Sequence, residues 1–483
     1  MIYIKTNYYC ILGTRTRYSW RLSKTIKFEY KGIWWLPSKP KEQVSGTLRF
    51  SPDEGAILDL IGSFKDIQDF NQILNPEVIL GVSSDGKNIT LYKCFETTSG
   101  VSLPGFLTSS FYASVVFVDV HFEKTEDVKF ESLSIHYSHL DDWANISGFD
   151  IPRRLSDKKE FLIKYKWPES VQVTISDDLK ISIVVQVDFP AISVVQKEAC
   201  IKQKTFIKIE PSKAKPLEQY WNIMYHTQNF LSLGVMEPVH PLAIKGITEA
   251  HKIIVENKTY YSPISIFYKV PAISLVFKPI MPLYMLFTFK DISENFEVFL
   301  RNWFEKAEML KPVYDLYFGT LYNPHMYLQH KFLSLVHAIE SYHRRTVKNC
   351  ELPEDKHQKR VTEILDVVPS NYRRWLEWKL KYSNEPPLRQ RLEDILGAHS
   401  EVLDAFMGDM SSFVDKTVDT RNYLTHYDPT LKERSADGEE LYRLTQKLKA
   451  LLEICLLKEL GFSSDSIRSL ISRNIRYRHE FYI

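Results

Sequence analysis

Toward the C-terminal end of a helical stretch the chain reads Asp419-Thr420-Arg421-Asn422-Tyr423-Leu424-Thr425-His426-Tyr427-Asp428. An arginine and a histidine are the residue types that cleavage of an RNA phosphodiester needs. When the 2′-hydroxyl attacks the adjacent phosphorus, one group with a pKa near 7 must move protons, and one fixed cation must hold the charge that develops. His426 suits the first task as general base or acid. Arg421 suits the second through a bidentate grip on the phosphate, and Asn422 would orient backbone or substrate by hydrogen bonds. This chemistry uses no metal and no cofactor.

Chance must be weighed first. Twenty-one Arg and 14 His in 483 residues predict about 0.6 occurrences of Arg, four residues, His. Requiring Asn after the Arg lowers the expectation to about 0.02, and the longer pattern occurs once. Geometry adds a condition, because residues five apart on an ideal helix point roughly 140° away from each other. Either the guanidinium reaches round, or the helix loosens before His426, since Asp428-Pro429 must end it there. The competing explanation is structural: both cations would sit at the C-terminal end of a helix and complement its dipole.

The elements that must position these residues change texture along the chain. Period-two runs of β-branched and aromatic residues at Thr47–Phe50, Ile89–Phe95, Val115–Phe122, Val171–Ser176 and Lys180–Phe189 predict strands, with a hairpin turn at Asp177-Asp178. The spacing suggests a sandwich or a curled sheet. Around Pro211–Pro216 the chain turns polar, and Leu217–Leu233 has helical periodicity; Ile264–Phe289 looks stranded, and Ile292–Leu310 puts Phe296, Phe299, Leu300 and Trp303 on one helical stripe. From Tyr327 onward helices are expected near 327–347, 357–367, 371–382, 388–397, 400–426 and 439–461. The expected fold class is therefore α+β multidomain: a β-rich, sandwich-like region over 1–210, a mixed helix/strand extension over 211–310, and an all-α helical bundle over 311–483.

Composition narrows the partners. Sixty-two Lys plus Arg against 60 Asp plus Glu leave a formal charge of +2, so a nucleic-acid site must be local rather than a global field. Five scattered cysteines without C-x-x-C spacing encode neither a disulfide framework nor a zinc site, which favours a reducing, cytoplasmic setting. Met1–Trp20 has no signal-type pattern, and the most apolar window, Val270–Phe289, is broken by Pro271, Lys278, Pro279 and Pro282, so no membrane span is expected. No P-loop, dinucleotide turn, G-x-S-x-G or H-E-x-x-H occurs, which leaves ATPases, Rossmann oxidoreductases, α/β-hydrolases and zincins without support.

The helical third resembles the HEPN superfamily, whose nuclease members carry an Arg, a polar residue, three variable positions and a His, matched here by Arg421, Asn422 and His426. Tyr327–Arg345 is similar to the first long helix of the Apea-like HEPN group. Lys31-Gly32-Ile33-Trp34-Trp35-Leu36-Pro37, Gly46-Thr47-Leu48, His136–Trp143 and Ser147-Gly148-Phe149 resemble that group's β-rich N-terminal region. The resemblance implies an antiviral (anti-phage) defence ribonuclease of the abortive-infection type. It would act as a homodimer through the HEPN domain, pair two Arg/His motifs in one cleft, need no metal, and shut down translation by cutting RNA. A phage-derived trigger at the N-terminal region belongs to the same implication. One departure is visible: the small residue that usually follows the His is Tyr427 here.

Other candidates have weaker chemistry. His136, His139, Asp141 and Asp142 are metal-ligand types, but flanking Leu140 and Trp143 read as packing anchors, so no metal site is assigned. Glu340 shares a stripe with Val336 and His343 and is expected to pair with Arg344 or with a helix across the bundle, helping to place the active-site helix. Arg344 and Arg345 with Lys348, and Arg373 and Arg374, are candidate RNA contacts. Arg468, Arg473, Arg476 and Arg478 lie in a tail whose Tyr477, Phe481 and Tyr482 are expected to dock on the bundle. Trp34 and Trp35 read as core rather than as a sugar platform. The leading expectation is a metal-independent endoribonuclease with a structured RNA such as tRNA as target. The competing one is a non-catalytic interaction or RNA-binding protein whose bundle dimerises and whose β region binds a partner or ligand.

Overall fold

The computed structural model describes residues 27–66, 72–102, 104–150, 163–193, 197–255, 258–270, 277–347, 350–404 and 406–481. Met1–Trp20, Lys348 and Tyr482 lie outside the described residues, as does part of the apolar window Val270–Phe289. The chain divides into two compact units, one built mainly from residues up to Val116 and the other from Phe117–Phe267 and Pro279 onward.

In the first unit, strands β1 (Phe28–Trp35), β2 (Val44–Ser51), β3 (Gly55–Ile61), β4 (Val78–Ser83), β5 (Asn88–Val101) and β6 (Leu107–Val118) run in the order β6-β3-β2-β1-β4-β5, and β5 pairs with β6. The sheet therefore closes into a barrel, the curled alternative to a sandwich. Alternation along β2 and β3 turns Leu48, Phe50, Leu58 and Leu60 inward. Trp34 is fully buried, as its core reading expects, whereas Trp35 is only half-buried. Trp34 fits only because Gly81 opposes it: a Cβ on Gly81 would stand 2.2 Å from the indole ring.

The second unit carries an antiparallel sheet of β7 (Ser132–Tyr137), β8 (Val171–Ser176), β9 (Leu179–Ser193), β10 (Glu198–Pro211), β11 (Pro241–Ile247) and β12 (Ile264–Tyr268), in the order β8-β9-β10-β7-β11-β12. The hairpin turn falls at Asp177-Asp178, where expected. Helix α1 (Leu217–Val235) lies against this sheet: Tyr220 Oη donates to Phe130 O at 2.7 Å, and Tyr137 Oη donates to the α1 carbonyl of Met224 at 3.2 Å. The expected strands across Ile264–Phe289 stop at Tyr268 among the described residues. Pro282 opens a 3-10 turn and Thr288 caps a short helix at Phe289, because proline denies the ladder its N–H.

Helices α2 (Phe296–Glu305) and α3 (Ala307–Tyr322) follow, and the predicted stripe buries Phe296, Leu300 and Trp303 and leaves Phe299 half-buried. The indole of Trp303 stacks on Tyr314 at 4.3 Å and donates its N–H to His226 O at 2.8 Å. The bundle proper comprises α4 (Leu328–Thr346), α5 (Glu354–Val367), α6 (Ser370–Leu380), α7 (Leu388–Ala398), α8 (Met410–His426), α9 (Gly438–Leu460), α10 (Ser464–Arg473) and α11 (Ile475–Phe481). Apolar residues lie all round α9, which makes it the central helix. Its one buried acid, Glu453, accepts hydroxyl hydrogens from Tyr317 at 2.5 Å and Tyr477 at 2.6 Å. Tyr477 is thus docked, and Phe481 packs on Phe406 at 4.9 Å. The fold class stands: a β-rich N-terminal region and a helical C-terminal one.

One element differs from the sequence reading. The single helix expected over 400–426 is a short turn, Ser400–Leu403, followed by a break and then α8. Gly408 takes the left-handed φ of 68°, and Asp409 starts the helix anew by accepting the N–H groups of Ser411 (3.0 Å) and Ser412 (3.3 Å).

Candidate active site

That new start fixes which face of α8 is buried. Phe413, Val414, Thr417 and Thr420 turn inward, and Thr420 Oγ1 accepts the N–H of Ala436 at 2.8 Å, tying α8 to the segment that leads into α9. The helix stays regular through His426. Tyr427 closes it in the left-handed region (φ 52°), its N–H donating to Tyr423 O at 2.6 Å. The loosening that could have swung His426 toward Arg421 does not occur, so the helical offset of about 140° holds. Arg421 turns into the bundle, half-buried, while His426 is exposed at the helix end.

Arg421 has two polar partners among the described residues. Its Nη1 donates to Asn422 Oδ1 at 3.0 Å, and its Nη2 lies 3.5 Å from Glu340 Oε1 on α4. Of the two pairings expected for Glu340, the helix across the bundle is the one seen. The Arg421 Nε is buried and has no hydrogen-bond partner among the described residues. Beyond the helix end, Asp428 accepts the backbone N–H of Thr430 at 3.0 Å and its hydroxyl at 2.8 Å. These bonds, with a smaller contribution from His426, hold its carboxyl below the usual range.

Near Glu340 runs a buried polar chain that the sequence reading missed. Arg391 on α7 is 3% exposed and donates Nη1 to His343 Nδ1 at 3.2 Å; His343 is 0% exposed, and its Nε2 lies 2.8 Å from Asp394 Oδ2. A guanidinium can only donate, so Nδ1 must be the unprotonated nitrogen and Nε2–H the donor to Asp394. Burial pulls the Arg391 pKa down and the charge of Arg344 adds to it, while the carboxylates of Glu385, Glu340 and Asp394 oppose. Burial raises the Asp394 carboxyl, yet bonds from Gln390 and His343 hold it below the ordinary carboxylate range. The only sequence signal was a His and an Arg on apolar stripes of two helices.

The candidate RNA contacts lie on two helices, α4 and α6. Arg344 donates to Glu385 at 2.6 Å, and Arg345 is exposed. Arg373 donates Nε to Leu365 O at 3.0 Å, and Arg374 is exposed; both lie on α6. Three of the four tail arginines are engaged within the chain, Arg468 with Asp465, Arg473 with Asp291 and Arg476 with Glu237.

The side chains of the His136 group make hydrogen bonds to nearby backbone. His136 Nδ1 donates to Thr205 O at 2.8 Å, Asp141 accepts the N–H of Thr205 at 2.8 Å, and Asp142 accepts that of Ile280 at 3.1 Å. Among the described residues no group of three or more His, Cys, Asp or Glu is placed to hold a metal ion, and no helix is long and apolar enough to cross a membrane.

Compared with known families, residues 29–303 match the model of ApeA N-terminal domain 1, and residues 333–466 match that of Apea-like HEPN. No curated protein and no solved structure matches the chain.

Proposed function

The chain belongs to the ApeA family and ends in an Apea-like HEPN domain, a class of nuclease domain, and from that premise we propose that it is a metal-independent endoribonuclease of anti-phage defence. The observation that carries the proposal is the state of Arg421: half-buried and steadied by Asn422 and Glu340, on the helix that presents His426 to solvent.

In the proposed reaction His426 takes the proton of the 2′-hydroxyl, the 2′-oxygen attacks phosphorus, and Arg421 neutralises the charge on the non-bridging oxygens. The bond to the 5′-oxygen breaks as that oxygen receives a proton, leaving a 2′,3′-cyclic phosphate and a 5′-hydroxyl. One chain turns its Arg and His apart, so a homodimer joined through the HEPN domain would set two motifs around one phosphate, with the second His as the acid. Structured RNA such as tRNA is the proposed substrate and the cytoplasm the proposed setting. The N-terminal region would sense a phage-derived trigger or restrain the nuclease.

The test is product chemistry. Purified protein incubated with RNA in excess EDTA should yield cyclic-phosphate and 5′-hydroxyl ends; 5′-phosphate ends, or activity lost in EDTA, would refute the mechanism. The separation of Arg421 from His426 within one chain favours the second reading, a non-catalytic interaction protein, if solution mass shows a monomer under all conditions that bind RNA.

A further inference from the structure

Helix α6 has no buried residue. Leu376 and Leu380 are half-buried, while Tyr372, Trp375 and Trp378 are 57%, 60% and 68% exposed, and Tyr382 just beyond the helix is 65% exposed. At about 100° per residue the three helical rings fall within one arc of roughly 120°, offset from the two leucines. Three large rings on one solvent-facing arc leave apolar area uncovered, which a folded chain ordinarily reserves for binding.

The charges along the same segment choose the ligand. Over residues 370–382 the cations are Arg373, Arg374, Lys379 and Lys381, against the single acid Glu377. Lys379 lies over the Trp378 ring at 5.1 Å and Lys381 over Tyr382 at 5.2 Å, so cation and ring are presented together. Arg374 borders the aromatic arc and has no ion-pair partner among the described residues. A second copy of this chain docked through a two-fold axis would bring this cationic segment against itself, which repels. A polyanion with planar, apolar faces meets both requirements.

We propose that the exposed face of α6 is a binding site for unpaired RNA, whose bases stack on Tyr372, Trp375 and Trp378 while Arg374 and Lys379 contact the phosphates. A duplex buries its base faces in its own stack and cannot use the rings this way. The site deepens the ribonuclease reading, on which it rests for the choice of RNA, and would hold a single-stranded loop or end of the substrate.

The probe is a fluorescein-labelled 2′-O-methyl oligouridylate, which offers no 2′-hydroxyl to cleave, titrated with the full chain and followed by anisotropy. Trp375→Ala and Trp378→Ala should each weaken binding roughly tenfold, while Trp375→Phe retains most of it. A hairpin duplex of equal length should bind less tightly and ignore the tryptophan substitutions. Because both rings are largely in solvent, circular dichroism should show the variants folded. Unchanged affinity in both alanine variants overturns the proposal. So does conversion of a dimer into monomers with affinity retained, which would give the face to a second copy. Cleavage of ordinary RNA separates the two readings. If the probe binds through the tryptophans but no RNA is cut, the ribonuclease reading fails and the site stands; if RNA is cut equally well by the tryptophan variants and the probe binds them equally, the reverse holds.

Discussion

Replacing Arg391 by Met tests whether the buried chain near Glu340 acts as one unit. Met fills much of the arginine stem's volume, so the main loss is polar. The His343 Nδ1, 3.2 Å from the guanidinium and on a residue with 0% exposure, loses its donor, and an unsatisfied buried acceptor costs about 1–3 kcal/mol. Relief of guanidinium desolvation offsets part of that, which sets the expected net loss at about 1–2 kcal/mol. His343→Phe does the opposite: it strands a charge that is 3% exposed, with Glu385 3.5 Å away as its remaining close partner, and should cost about 3–5 kcal/mol. With both replaced, neither orphan remains, so the double variant should be more stable than the sum of the singles by about 1–3 kcal/mol. Urea titrations of the four proteins, followed by the helical circular-dichroism signal, measure this. Additivity within about 0.5 kcal/mol would show that the two groups are not coupled and would refute the assigned tautomer.

Glu340→Gln removes the charge facing Arg421 while keeping its shape; cleavage should fall roughly tenfold in kcat with KM little changed, whereas a merely structural Glu340 would lower stability and leave kcat alone. Gly81→Ala sets a methyl 2.2 Å from the buried Trp34 ring and should destabilise the barrel by about 1–3 kcal/mol, seen as a loss of near-ultraviolet dichroism. His240 is 3% exposed, and burial, reinforced by His139, lowers its pKa from 6.5 to about 4. The unfolded chain therefore binds this proton more tightly. The stabilisation is complete above pH 6.5 and is lost as pH falls toward 4, by at most about 3 kcal/mol; His240→Phe should flatten the acid limb of a stability–pH curve.

Local patterns were legible and tertiary closures were not. Val171–Ser176 and its turn at Asp177-Asp178 follow from alternation and turn chemistry, and Leu328–Thr346 follows from its apolar stripe, within a residue or so of the reading. The single helix over 400–426 failed because Val402, Leu403, Phe406, Met407, Phe413 and Val414 keep helical spacing across the break. The Gly408-Asp409 pair, a terminator followed by a cap, held the better signal. Pairing of β5 with β6 has no local period to announce it, so barrel and sandwich stayed open. Arg391 and His343 meet across 48 residues of sequence, and only the fold makes one a partner of the other. Arg421, Asn422 and His426 were named from residue type and spacing, but which way each side chain turns depended on where α8 is buried.

The most direct measurement incubates purified wild type, Arg421→Ala and His426→Ala with total RNA in EDTA, after matching the three for folding and solution mass. Wild type should cut, both variants should fall by at least about a hundredfold, and RNA affinity should drop more for the arginine variant than for the histidine one. Cleavage by His426→Ala at the wild-type rate would contradict the account at its centre.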